Sequence, residues 1–331
     1  MIYSFRWPLF LALTLFLLSI SPKLPAQEHK LQFNSDRSFK IAQFTDTHFY
    51  LEGENSREVL DNLRAVLEEE QVDLVILTGD IVTGKPTLKS WEVLSDLLIS
   101  YKVPYTVTFG NHEDEGESSR EELLAYLSDR PYCLLSHQSG QQVEGIGNHI
   151  LPVYNEMGIA EKLIYCMDSR SYSLAKEQGV EGYGWFDHTQ IRWFAESNER
   201  WLAEYPDIQA LFFFHIPLPE YARAFDHGEF KLGKRKEKEC SPEINTGMFA
   251  EMLLQGNVLG TFVGHDHVNN YVAQNYGIAL CYGYFSGGNS YGSRPPNGAR
   301  MILLEAGKRT FSTWLRRVDG AVFHKVELPR K

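Results

Sequence analysis

The hexapeptide Asp73–Thr78 (DLVILT) is an unbroken apolar run between its two polar ends. A strand with one wet face alternates apolar and polar side chains, so a continuous run needs cover on both faces. The segment predicts the interior of a sheet with layers above and below. Phe39–Phe44 and Val103–Phe109 read as companion strands. Ser56–Glu70 places Val59, Leu60, Leu63, Val66 and Leu67 on one helical face, and Leu88–Lys102 reads as a second helix. Ser118, with Glu121 three residues on, predicts a capping box opening a third helix to about Ser128. The order βαβαβα predicts parallel strands with right-handed crossovers.

The second half is richer in strands. His149–Val153, Leu163–Met167, Ala210–Phe214 and Val258–Val263 read as strands, with helices over His188–Tyr205 and Thr246–Leu254. A long loop is expected between His215 and Asn245. Tyr271–Leu328 alternates apolar and polar residues and predicts antiparallel hairpins. No linker divides the chain. The economical fold is α/β, with two sheets in one domain over residues 39–331 and helices outside. The polar stretch 27–38 reads as a loose N-terminal arm.

Residues 1–26 read as a signal peptide. Arg6 supplies a positive start, Leu9–Ile20 an apolar run short for a membrane span, and Ala26 a cleavage point. An uncleaved anchor is the alternative. The expectation is an exported protein, periplasmic or extracellular, with no stable membrane span after cleavage. Cys166 and Cys281 sit in strand-like runs and read as buried thiols, whereas Cys133 and Cys240 fall in loops. No connectivity follows for an exported chain that pairs some of them. The net charge of -11 lacks the footprint of a nucleic-acid binder.

Chemistry gathers where the core strands end. The first ends in FTDTHF (Asp46, His48), the second in LTGD (Asp80) and the third in TFGNHED (Asn111, His112). Later strands end in FFFHIP (His215) and FVGHDH (His265, His267). Ligands of open α/β sheets bind outside the carboxyl ends of the strands. Asp46 with His48, and His265 with His267, are spaced i and i+2, which in extended chain aims both at one side. Imidazole, carboxylate and amide oxygen together suit Zn, Mn or Fe, and no cysteine joins them. Seven candidate ligands (Asp46, His48, Asp80, Asn111, His215, His265, His267) suit two ions sharing a carboxylate. Asp80 is the best bridge because it stands alone at its strand end. His29, His137, His149, His188, His227 and His324 fall outside this pattern.

The series D-x-H, G-D, G-N-H-E, H and G-H-x-H resembles the calcineurin-like metallophosphoesterase superfamily. HIPLPEY (215–221), YGWFDHTQIRWF (183–194), SPEINTGMF (241–249) and GHDHVNNY (264–271) resemble a purple acid phosphatase-like subgroup. The resemblance implies a four-layer αββα sandwich with two metals at the strand ends. One would take Asp46, His48, Asp80 and His267; the other Asp80, Asn111, His215 and His265. His112 would face the substrate phosphate. Thr83 stands where purple acid phosphatases carry a tyrosine three residues after the bridging aspartate, so no purple colour is expected.

Two cations about 3.5–4 Å apart bind phosphoryl oxygens and lower the pKa of a bound water towards ~7. The expected reaction is attack of that metal-bound water or hydroxide on a small phosphate monoester. His112 would stabilise charge or protonate the leaving oxygen. Its carboxylate partner is left open between Asp46 and Glu113. A phosphodiesterase acting on cyclic nucleotides or other small diesters is the alternative enzyme, and a non-catalytic metal-binding protein the third reading. His265 and His267 should serve different ions, with Asp266 pointing away. Lys231, Lys234, Arg235, Lys236 and Lys238 would steer an anion, but Glu237 and Glu239 interrupt them, as in a solvated loop. The stretch 286–292 reads as a pocket rim or a plain turn. Tyr183, Trp185, Tyr284 and Tyr291 are candidates for the substrate face or for core packing.

Overall fold

A computed structural model describes residues 30–288 and 296–330. The signal segment, His29, Tyr291 and most of the glycine-rich stretch lie outside the described residues. The elements run β1 (Leu31–Gln32), β2 (Ser38–Phe44), α1 (Ser56–Glu70), β3 (Leu74–Thr78), α2 (Thr87–Ser100), β4 (Tyr105–Thr108) and α3 (Arg120–Ser128). Then come β5 (His149–Tyr154), β6 (Ala160–Cys166), α4 (His188–Glu204), β7 (Gln209–Phe213), α5 (Glu220–His227), β8 (Phe230–Leu232) and α6 (Met248–Gln255). The chain closes with β9 (Val258–Val263), β10 (Val272–Asn275), β11 (Ile278–Tyr282), β12 (Gly298–Glu305), β13 (Phe311–Arg317) and β14 (Val322–Leu328).

Two sheets result. One has the order β1-β5-β6-β7-β9-β11-β10-β8, the other β14-β13-β12-β2-β3-β4. The alternation of side chains along a strand sorts the layers. In β3, Leu74 and Ile76 enter the core between the sheets, while Val75 and Leu77 pack under α1 and α2. In β7, Leu211 and Phe213 face between the sheets, while Ala210 and Phe212 pack against α4, α5 and α6. Both sheets are mixed, and the architecture is the αββα sandwich. The run that predicted a doubly covered strand is fully buried along β3.

Strands β2, β3 and β4 pair in parallel, as the βαβαβα order requires. The C-terminal hairpins are divided between the sheets. β12, β13 and β14 extend the second sheet by antiparallel pairing onto β2. β11 pairs antiparallel with β10 but parallel with β9.

Three local expectations are corrected. The capping box is Ser119 with Glu122, one residue later than Ser118 with Glu121, because either serine satisfies the same spacing rule. The long loop after His215 contains α5 and β8, whose few turns give too short a period to read. Residues 30–38 are not a loose arm: Leu31–Gln32 pairs with β5, and Leu31 and Phe33 are buried between the sheets. Alternation over so few residues carries no detectable period.

The layer between the sheets has no polar escape for its side chains, so truncation there leaves a cavity. Leu211→Ala is expected to cost about 2–5 kcal/mol, measured by urea unfolding with the slope unchanged.

Candidate metal centre

Three of the five strand ends that carry the candidate ligands, those of β2, β3 and β9, turn left-handed. Asp46, His48, Asp80 and His265 have φ of 55°, 44°, 52° and 77°. Non-glycine residues in this left-handed region cost on the order of 1 kcal/mol each. The expectation that i, i+2 pairs point together through extended chain is therefore corrected. At the ends of β2, β3 and β9 the backbone curls instead, and the curl aims the side chains. Glycine makes room for them. A Cβ on Gly264 would stand 1.9 Å from Thr45 Oγ1 and 2.7 Å from Asp46 Oδ2.

The curled ends bring two groups together. Ligand atoms of Asp46, His48 and His267 lie within 4.8 Å of one another, as do those of Asp80, His215 and His265. The groups touch: His215 Nε2 is 3.0 Å from Asp80 Oδ2 and 4.0 Å from Asp46 Oδ1. His265 and His267 fall in different groups. Asp266 turns elsewhere, its carboxylate accepting from the Tyr282 hydroxyl and, at 3.2 Å, the Cys240 amide. With Cys240 and His265 it also forms a third close set of atoms.

The hydrogen bonds test whether cations fit. His215 Nδ1 donates to the Thr78 carbonyl at 2.8 Å, which leaves its Nε2 lone pair facing the Asp80 carboxylate. His48 Nε2 and His267 Nε2 face each other at 3.1 Å, and His265 Nδ1 lies 3.3 Å from His215 Nε2. Asn111 turns its Nδ2 to the Tyr172 hydroxyl (3.3 Å), while its buried Oδ1 has no partner among the described residues; nor has His265 Nε2. Lone pairs converging in a buried space, with orphaned acceptors beside them, are what a bound cation satisfies. The residues present fit two divalent cations.

Electrostatics agree. Burial pulls His48 down to about 3 and His267 down to about 4, and lowers His265 as well, which favours the neutral imidazoles. Burial also opposes charge on His215, but the Asp80 carboxylate outweighs it and lifts this ring to about 10. Asp80 is held well below its ordinary value, the facing His215 overcoming its burial. Positive charge is thus favoured at the Asp80–His215 contact.

His112 borders the first group, its ring 5.2 Å from that of His48. Its side chain keeps 19% exposure, and Nδ1 pairs with Glu115 at 2.7 Å. Neither carboxylate considered from the sequence is this partner. A 3-10 turn over Glu113–Glu115 swings Glu115 back over the ring and sends Glu113 inward. There Glu113 accepts the amides of Asp80 (3.0 Å), Ile81 (2.6 Å) and Gly110 (2.6 Å). It clamps two strand ends together. Burial lowers the His112 pKa, but Asp80 and Glu115 raise it more, and the net shift is upward.

The sequence reading missed Glu115, Tyr172 and Arg120, and left Tyr183 and Trp185 open between the substrate face and core packing. Tyr172 bridges Asn111 and Glu115, and stacks on Tyr183 at 5.9 Å. Tyr183 stands edge-on to His265 at 4.3 Å, a place at the site. Trp185 lines a separate small cleft. Arg120 ties Asp168 to the Gly110 carbonyl. Of the missed groups, only Glu115 carried a readable signal, three residues after His112 in a polar turn.

Residues 39–269 match the calcineurin-like phosphoesterase family, and the chain belongs to it. Its relatives are purple acid phosphatase-like. The Arabidopsis thaliana protein named probable inactive purple acid phosphatase 29 is 31% identical, over 92% of this chain and 86% of that one. Probable inactive purple acid phosphatase 14 of the same plant is 29% identical, over 86% of this chain and 80% of that one. A dimetal phosphatase from Danio rerio shares the fold, with a TM-score of 0.62 at 14% identity, over 88% of this chain and 99% of that one. The family supports hydrolysis of small phosphate esters in general. Among the described residues, no helix is long and apolar enough to cross a membrane.

The Glu113 clamp makes a testable claim. Glu113→Ala leaves three buried amides bare, so it should lose about 1–3 kcal/mol or more in denaturant unfolding. Calorimetry should also show weaker Mn²⁺ binding. Unchanged stability would show that the clamp is dispensable.

Proposed function

We propose that this protein is a dinuclear-metal phosphomonoesterase. Asp46, His48, Asp80 and His267 would hold one cation; Asp80, Asn111, His215 and His265 the other. Asp80 would be shared. Two bound cations supply charge neutralisation of the phosphoryl oxygens and an activated water, while identity among Fe, Mn and Zn stays open. Asn111 offers its Oδ1 because Tyr172 holds the amide's other end. Thr78 fixes the His215 tautomer.

His112 is proposed as the acid. Its backbone amide is pinned by Asp80 Oδ1 at 2.8 Å, and Glu115 orients the ring. An imidazole whose pKa is shifted upward, partly exposed and beside the proposed cation sites, could give its proton to a departing alkoxide. That need is greatest for monoesters of simple alcohols. We also propose export, on the strength of the N-terminal segment alone.

The single observation carrying the reading is that six of the seven candidate ligands gather in two close sets with His112 beside them. The names of the plant relatives favour a second reading, a metal-binding protein without catalysis. A site that had lost its chemistry should lack a ligand or its acid, and none is missing here.

The test is hydrolysis of p-nitrophenyl phosphate against bis(p-nitrophenyl) phosphate by protein stripped with chelator and reloaded with Mn²⁺, Zn²⁺ or Fe²⁺. Turnover should vanish on stripping, return on reloading and favour the monoester. His112→Ala should lower kcat by about 10²–10⁴-fold. No turnover after reloading, or a His112→Ala variant equal to wild type, would support the non-catalytic reading. Preference for the diester would move the assignment to phosphodiesterase.

A further inference from the structure

The segment 234–239 (KRKEKE) was expected to be a solvated loop whose acids interrupt its bases, yet the structure gives its charges different surroundings. Arg235 pairs with Asp226 at 2.8 Å and Glu239 at 2.7 Å. Glu237 Oε1 accepts the Val268 amide at 3.1 Å. Glu239 is buried against the Tyr271 hydroxyl at 2.6 Å. These three side chains are occupied within the fold. Lys234 and Lys236 are exposed and line a cavity of about 220 Å³. Among the described residues, neither ammonium makes an ion pair.

The cavity adjoins the metal centre, because His267 forms part of its wall. Arg317 and His324 add to its lining, while Tyr284 and Phe323 give one apolar side. Among the described residues, no carboxylate lines it. Asp319 pairs with Arg317, so that guanidinium is partly neutralised while the lysines are not. His324 Nδ1 is buried and has no partner among the described residues. Burial, then Arg300 and Lys234, lowers the pKa of His324, a sign of positive potential in the pocket.

The lysines are also positioned. Asn270 Oδ1 accepts the Lys234 amide at 2.9 Å, and the Asn270 amide donates to the Lys234 carbonyl at 3.0 Å. Asn269 Oδ1 accepts the amides of Lys236 and Glu237 at 2.8 and 3.1 Å. Both asparagines follow His267 after a single intervening residue, Val268, in the GHDHVNN stretch. The residues that end the ligand turn thus fasten the lysine loop to it.

We propose that this pocket receives a second phosphate of the substrate, so that the preferred substrates are small molecules carrying two phosphates. One phosphate sits at the metal centre; the other is held by Lys234 and Lys236. The inference rests on the phosphoesterase reading above. Phosphate–ammonium contacts are charge-assisted hydrogen bonds, stronger than neutral ones. A phosphate remote from the breaking bond is held equally in ground and transition states, so its benefit falls on KM rather than kcat.

The probes are α,ω-alkanediol bisphosphates of increasing chain length and their matching alkyl monophosphates, assayed with Mn²⁺-loaded protein. At the best length, kcat/KM should favour the bisphosphate by about 10-fold or more, through KM, and the preference should shrink at high salt. The double variant Lys234→Ala/Lys236→Ala should abolish the preference; Lys234→Arg/Lys236→Arg should keep it. No preference at any length, or a preference indifferent to the alanine pair, would overturn the proposal. Calorimetric titration of the same compounds reads the pocket without turnover. Absent hydrolysis with a retained, lysine-dependent binding preference would therefore sink only the phosphoesterase reading.

Discussion

A carboxylate and an imidazole lone pair cannot face each other in a dry interior without positive charge between them. Asp80 Oδ2 and His215 Nε2 stand 3.0 Å apart, both buried, with the Thr78 carbonyl occupying the other ring nitrogen. That contact demands a proton or a metal cation. The surrounding lone pairs of His48, His265, His267 and Asn111 make the second the better solution. The centre is therefore costly without its ions, and the fold must hold it open.

What holds it is the packing of both sheets. Strands of the two sheets send alternate side chains into one shared apolar layer, and their carboxyl ends meet at one edge. There the backbone turns left-handed at four of the site residues. Such strain persists only where neighbours over-determine it. Glu113 does so by taking three amides from two strand ends, and Arg120 anchors the adjoining loop. The same clamp frees the next turn to place Glu115 over His112.

Much of this was legible in the sequence, for physical reasons. DLVILT marked a doubly covered strand because no polar face interrupts it, and α1 was marked by apolar spacing, its residues Ser56–Glu70 being those the periodicity selected. Ligand types at strand ends were legible because open α/β sheets present chemistry there. The partner of His112 was not, since a 3-10 turn reverses which of two nearby glutamates faces the ring. The fate of the KRKEKE charges was not either: its acids are satisfied by Val268 and Tyr271, remote in sequence. The short strand at Leu31–Gln32 and helix α5 were too brief to show a period.

The central claim is that two cations share Asp80. Crystals grown with Mn²⁺ and measured for anomalous scattering test it most directly. The account predicts two peaks about 3.5–4 Å apart with Asp80 between them. Asp46, His48 and His267 should surround one, and Asn111, His215 and His265 the other. A single peak, or a peak coordinated by Asp266 and Cys240, would contradict it.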